Sequence, residues 1–335
     1  MGAEGIGLCR TEHMFLGDRK QIVADMILAE KGGEEYNAAL GKLYEAQQGD
    51  YYEILKAMDG LPVIIRLLDP PLHEFLPAPR DLAIEVAVGE ATGKDVTEAK
   101  KLLAAADHMA EMNPMLGLRG CRLGIVMPGL SAMQVRAIAM AAARLVEEGY
   151  DPRPEVMIPL VSMESELKYV RKEAEEAIRK IEDAYDIDLS FIEIGTMIEL
   201  PRAAVTADEI AKDADFFSFG TNDLTQTTFG FSRDDVEGKF FNDYEDLKIM
   251  KVNPFATVDD GVVKLVDIAA KGGRSTNPDL MLGVCGEHGG DPDSIHKFQK
   301  VGLNYVSCSP YRVPLARLAA AQAALAEENA VVADK

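Results

Sequence analysis

Residues 192–223 open with Ile192-Glu-Ile-Gly-Thr-Met-Ile-Glu-Leu200, pass through a helix-forming stretch over 202–211, and close on Phe216-Phe-Ser-Phe-Gly-Thr-Asn-Asp223. Two short apolar, β-favouring runs thus flank one helical segment, and a carboxylate follows each run. A helix between two strands returns the chain to its starting edge, so such strands pair in parallel. Their C-terminal ends then emerge on the same side of the sheet. Glu199 and Asp223, about one strand–helix unit apart, should top adjacent strands.

The same alternation extends in both directions. Candidate strands are residues 5–9, 63–68, 116–123, 156–160, 192–198, 216–219, 281–284 and 305–308, the third of them weak in composition and assigned partly by count. Helix formers fill 21–56, 99–112, 133–148, 164–184, 202–211, 262–270 and 315–328. Eight such strands predict an α/β fold, a (β/α)8 TIM barrel with long loops at the C-terminal face, forming a single domain over residues 1–335. The long loops are 69–94, which starts with a double proline, and 226–259, which is rich in Gly, Asp and Phe. Ser162 is expected to N-cap the helix that carries Glu164 and Glu166 in its first turn. Residues 327–335 are expected to be a frayed helix end.

Composition narrows the partners. Thirty-five Lys and Arg against 56 Asp and Glu give a net charge of −21, which repels a phosphate backbone and excludes nucleic acid as an expected partner. Arginines that bind an anion must therefore sit locally in a cleft. The four cysteines, Cys9, Cys121, Cys285 and Cys308, form no CxxC pair, which argues against a disulfide framework and favours a reduced, cytoplasmic setting. No apolar run is long enough to span a bilayer, and the N-terminus lacks a basic region followed by an apolar core. The first candidate strand starts almost at residue 1, as expected of an excised domain.

In a parallel barrel, chemistry collects at the C-terminal strand ends. Arg10 ends the first strand, Arg66 lies in the second, and Arg119 sits in Gly117-Leu-Arg-Gly120. Three guanidinium groups around one mouth suit a phosphate or carboxylate, which they bind in bidentate fashion. The alternative for each is pairing with a nearby acid such as Glu12 or Asp69. Mg2+ is typically held by one or two carboxylates with substrate oxygens and waters, and Glu199 with Asp223 fits that pattern. Asp223 has an alternative as a helix cap. Gly220-Thr-Asn-Asp223 also offers backbone N–H groups near a helix start, with Thr221 and Asn222 as further donors. Cys285, in Val284-Cys-Gly286, is a thiol at a strand end able to protonate a carbanion; its alternative is a small buried hydrophobe, as is read for the other three cysteines. His13 and His73 follow the two arginine strands and are candidates to line the site. His108 and His296 read as structural helix residues, and no set of soft ligands supports zinc.

Five segments carry a resemblance. They are Gly5-Ile-Gly-Leu-Cys-Arg-Thr-Glu-His-Met-Phe15, Arg66-Leu-Leu-Asp-Pro-Pro-Leu-His-Glu-Phe75, Asn113-Pro-Met-Leu-Gly-Leu-Arg-Gly-Cys-Arg122, Phe219-Gly-Thr-Asn-Asp-Leu-Thr-Gln226 and Cys285-Gly-Glu-His-Gly-Gly-Asp-Pro292. In collinear order they resemble the family of phosphoenolpyruvate-utilising enzymes. The second and fifth favour its pyruvate, phosphate dikinases over the phosphotransferase-system enzyme I.

The resemblance implies a phosphoenolpyruvate/pyruvate-binding barrel, with Arg10, Arg66 and Arg119 at the substrate and Gly220, Thr221 and Asn222 in contact with it. It implies Glu199 and Asp223 as Mg2+ ligands and Cys285 as proton donor to the enolate carbon. It further implies a homodimer and a partner swivelling domain whose histidine carries phosphate. None of the five histidines here stands in that domain's Thr-Ser-His context. The expected activity is therefore one half-reaction of a dikinase. A Mg2+-dependent oxoacid lyase or aldolase is the competing class, and a non-enzymatic dimerisation module a third reading.

Overall fold

The structure is a computed structural model that describes residues 2–15 and 17–333. Seven strands form one parallel sheet in sequential order: β1 Ile6–Arg10, β2 Pro62–Arg66, β3 Arg153–Ile158, β4 Glu193–Ile198, β5 Phe216–Phe219, β6 Met281–Val284 and β7 Tyr305–Val306. Register is continuous from Pro62↔Arg153 to Arg66↔Met157 and again from Phe216↔Met281 to Phe219↔Val284. The sheet curls until its edges meet: a Cβ placed on Gly7 of β1 would lie 2.4 Å from Ser307, just past β7. The result is a nearly closed α/β barrel, as the alternation predicts.

Side-chain alternation divides each strand between two cores. Ile64, Met157, Met197, Phe216 and Cys285 point into the barrel with Leu8 and Tyr305. Their neighbours Val63, Ile65, Val156, Ile158, Phe217 and Phe219 pack outward against the helices. Both faces are buried, so β5 is apolar almost throughout rather than alternating. The helices Glu34–Ala57 and Leu130–Glu147 pack against each other outside β1–β3, and Asp260–Thr276 covers β5 and β6.

The eighth strand is not found where it was expected. Residues 114–126 form a 3-10 turn, Pro114–Leu116, and a helix, Gly120–Val126. Pro114 starts the turn, and Gly120 adopts φ 58°, which a strand residue does not. The Gly120 N–H donates to Asp69 O at 2.9 Å and the Cys121 N–H to Pro159 O at 3.0 Å. This segment therefore ties the ends of β2 and β3 together instead of lying beside them.

Both long loops carry helices. Residues 69–94 contain the 3-10 turn Leu72–Phe75 and the helix Pro79–Thr92. Residues 226–259 contain Arg233–Lys239 and Phe241–Asp246, pinned by Phe229 stacked on Phe231 at 5.2 Å and Phe231 edge-on to Phe240 at 5.7 Å. Ser162 is not the N-cap, which falls at Met163. Its N–H and hydroxyl instead donate to Glu166 Oε2 at 2.7 and 2.9 Å. The last helix runs Val313–Ala333, and Asp334 and Lys335 of the expected frayed end lie outside the described residues. Among the described residues no single helix is long and apolar enough to cross a membrane. The one pair that passes together, Gly120–Val126 and Leu130–Glu147, is bent by 103°.

Candidate active site

A cavity of about 290 Å³ opens at the C-terminal strand ends, where parallel topology brings the loops together. Arg10, Arg66, Arg119, Glu199, Gly220, Asn222, Asp223 and Cys285 all line it. Thr221 does not: it is fully buried, with Oγ1 2.7 Å from His288 Nδ1. His13 and His73 are also not among the lining residues; His13 belongs to a neighbouring hollow with Cys9 and Asp50.

Arg66 and Arg119 are held by acids, the alternative reading of them, while Arg10 lines the same cavity. Arg66 Nη2 donates to Glu12 Oε1 at 2.5 Å, and its Nη1 lies 2.8 Å from Asp69 Oδ2. Arg119 grips Asp69 in a fork, Nε to Oδ1 at 3.2 Å and Nη2 to Oδ2 at 2.6 Å, while Nη2 also reaches Asp223 Oδ2 at 3.2 Å. Burial alone would raise the Asp69 carboxyl, but Arg66 and Arg119 outweigh it and hold the group below its ordinary value. The Nε–H of Arg66 is buried without a hydrogen-bond partner.

Glu199 follows β4 and is 1% exposed. Its Oε1 accepts the Leu160 N–H at 2.7 Å, and Leu160 takes the left-handed φ of 61° to aim that donor. Left-handed backbone at a branched side chain costs on the order of 1 kcal/mol, a local strain at the edge of the cavity. Burial, then the charges of Asp223 and Asp69, push the Glu199 carboxyl well above the carboxylate range. Asp223 is the third residue of helix Thr221–Phe229, and its side chain is taken by Arg119 and Gln226 rather than by the helix end.

The donor set fits a hard divalent cation. Among the lining side chains six carboxylates face four arginines, so full ionisation leaves an excess of two negative charges. A Cβ on Gly220 would fall 2.7 Å from Glu199 Oε2, so glycine keeps the space before that oxygen open. Among the described residues no cluster of three or more His, Cys, Asp or Glu side chains forms a metal cage. Two carboxylates with substrate and water ligands are the arrangement Mg2+ takes.

Cys285 is buried just past β6, with its thiol 3.6 Å from Phe219 O. Burial pushes its pKa up to about 11, opposed in part by the neighbouring Ser218 hydroxyl, so the group is a protonated thiol at neutral pH. The loop after it is stitched to the helix that bears Asp223. The Glu287 N–H donates to Asn222 Oδ1 at 3.1 Å, and His288 bridges Thr221 Oγ1 and Pro254 O, the latter at 2.8 Å from Nε2. A carbonyl acceptor at Nε2 assigns the proton there, leaving Nδ1 to accept from Thr221. Burial lowers the His288 pKa, which agrees with a neutral ring.

Sequence reading did not assign functional roles to Asp69, Glu12, Arg233, Gln226 and His288. The sequence offers Asp69 and Glu12 only as partners of arginines. Arg233 lies in a stretch with no legible period, and its position beside the cavity follows from the return of the chain at Gly230, which has φ 68°.

Fold and site together define a class: the chain belongs to the family described as PEP-utilising enzyme, PEP-binding domain, whose model matches residues 1–325. Among characterised proteins it is similar to pyruvate, phosphate dikinase from Clostridium symbiosum, 52% identical over 328 residues, which is 97% of this chain and 37% of the relative. It is likewise similar to pyruvate, phosphate dikinase 2 from Oryza sativa subsp. japonica (52%; 97% of this chain, 36% of the relative) and to pyruvate, phosphate dikinase from Rhizobium meliloti strain 1021 (51%; 97% and 36%). The chain thus spans about a third of the length of these relatives.

Proposed function

We propose that this chain carries out the phosphoenolpyruvate/pyruvate half-reaction of the dikinases it is similar to: Mg2+-dependent phosphoryl transfer between phosphoenolpyruvate and a histidine on a separate swivelling domain. Running toward pyruvate, the bond from phosphorus to the enol oxygen breaks and a phosphorus–nitrogen bond to the imidazole forms. The enolate carbon then takes the proton of the Cys285 thiol. The observation that carries this reading is one cavity holding an arginine cluster, the Glu199–Asp223 carboxylates and a protonated Cys285.

Arg66 and Arg119, fixed by Asp69, present donors to the phosphoryl oxygens without reorganising, which is where phosphoryl-transfer catalysis mostly originates. Arg10 and Arg233 face the same volume. Asn222 has its carbonyl oxygen engaged by Glu287, which leaves its amide N–H groups as donors to substrate. Glu199 and Asp223 would hold Mg2+, whose chemistry when bound is to stabilise negative charge on the enolate and phosphoryl oxygens. In this reading the chain binds substrate, and nucleotide chemistry and the phosphate-carrying histidine belong to other domains. A homodimer and a cytoplasmic setting are part of the same proposal.

The test is calorimetry with oxalate, an enolate mimic. Wild type is expected to bind oxalate only with Mg2+, and Glu199→Ala and Asp223→Ala each to abolish that binding. Unchanged affinity in both variants would remove the metal assignment.

A further inference from the structure

Gln226 lies one helical turn past Asp223 and makes contacts in two directions. Its Nε2 donates to Asp223 Oδ1 at 3.0 Å, and its Oε1 accepts the Arg233 N–H at 2.9 Å. Its backbone oxygen also accepts the Phe231 N–H at 2.9 Å, closing the helix at Gly230. Both ends of one amide are therefore in use, each on an element that lines the cavity, as Gln226 itself does. Asp223 Oδ2 is meanwhile fixed by Arg119 at 3.2 Å, so Gln226 completes the set that holds the carboxylate plane.

We propose that Gln226 is a positioning residue that couples the rotamer of Asp223 to the placement of the Ser232–Arg233–Asp234 wall. Through this strut, cation occupancy at Asp223 and anion contact from the wall become mutually reinforcing. The proposal rests on the reading of Asp223 as a metal ligand only for its binding arm; the strut itself is a property of the fold.

Two variants separate its ends. Gln226→Met keeps length and loses both hydrogen bonds, whereas Gln226→Glu keeps an acceptor for Arg233 and loses the donor to Asp223. In amide hydrogen exchange, Arg233 should exchange faster in Gln226→Met and stay near wild type in Gln226→Glu, with unchanged unfolding midpoints. In calorimetry with Mg2+ at saturating oxalate, Gln226→Met should weaken apparent Mg2+ affinity about tenfold, the size expected from losing two hydrogen bonds. Wild-type exchange at Arg233 in Gln226→Met, or wild-type Mg2+ affinity in that variant, would overturn the proposal. If wild type itself shows no Mg2+-dependent oxalate binding, the metal reading falls, and with it the coupling to a cation. The exchange arm still decides whether the strut exists.

Discussion

Asp69 is the hinge of the site's electrostatics, and Asp69→Asn probes it with almost no change in shape. The carboxylate is 3% exposed and accepts from Arg66 Nη1 at 2.8 Å, Arg119 Nη2 at 2.6 Å and Arg119 Nε at 3.2 Å. Asparagine keeps one acceptor oxygen, so part of the geometry survives while the charge that offsets two buried guanidinium groups is lost. Removing one partner of a buried ion pair typically costs about 3–5 kcal/mol. Here Glu12 stays on Arg66 at 2.5 Å and Asp223 on Arg119 at 3.2 Å, which argues for the low end, about 3 kcal/mol.

Because the Asp69 carboxyl is held below its ordinary value, its contribution is present at neutral pH and lost as pH falls through the folded-state value. The variant should therefore lose stability at pH 7 and show a shallower loss toward acid. Inorganic phosphate should restore part of the deficit by binding the freed arginines. Urea unfolding across a pH series, with and without phosphate, measures all three effects. A loss under about 1 kcal/mol with no phosphate response would refute the assignment of Asp69 as the group that organises Arg66 and Arg119.

Other consequences are independent of that one. Glu155 pairs in register with Glu193 at the opposite end of the barrel, and burial with the Glu193 charge raises its pKa from 4.5 to about 7. A raised carboxyl stabilises the fold below the unfolded value and loses that contribution between pH 4.5 and about 7. Glu155→Gln should remove this slope and be more stable than wild type at pH 8, by up to about 3 kcal/mol on linkage grounds. An unchanged stability–pH curve would contradict the shift. Cys285→Ala should spare Mg2+–oxalate binding and stop proton exchange at the pyruvate methyl, followed by deuterium NMR. Wild-type exchange in that variant would remove Cys285 from the chemistry.

Much of this site was legible because buried parallel strands read as unbroken apolar runs, and their ends could be located within a residue or two. Glu199, Asp223 and Cys285 each follow such a run, so their convergence followed from topology alone. The segment 116–123 lacks such a run: Leu-Gly-Leu-Arg-Gly-Cys-Arg-Leu is weak in composition, a strand there rests partly on the count of eight, and its period does not distinguish a short helix. The helix Pro79–Thr92 did carry signals, proline at its start and Gly93 at φ 72° after its end, inside a stretch read as loop. Arg233–Lys239 and Phe241–Asp246, at 7 and 6 residues, are too short to show a hydrophobic face. Asp69 and Gln226 act through partners distant in sequence or through paired side-chain bonds, which spacing does not encode. Thr221 shows the converse: a residue in a recognisable motif whose hydroxyl is turned away to His288.

The central claim is that this cavity passes a phosphoryl group to a histidine on another domain. The most direct measurement mixes the chain with Mg2+, phosphoenolpyruvate radiolabelled in its phosphate, and the separately expressed phosphohistidine domain of a dikinase relative. The account predicts acid-labile label on that domain and pyruvate in equal amount, both lost with Glu199→Ala. Label that never leaves phosphoenolpyruvate, from a chain that binds Mg2+ and oxalate, would contradict it.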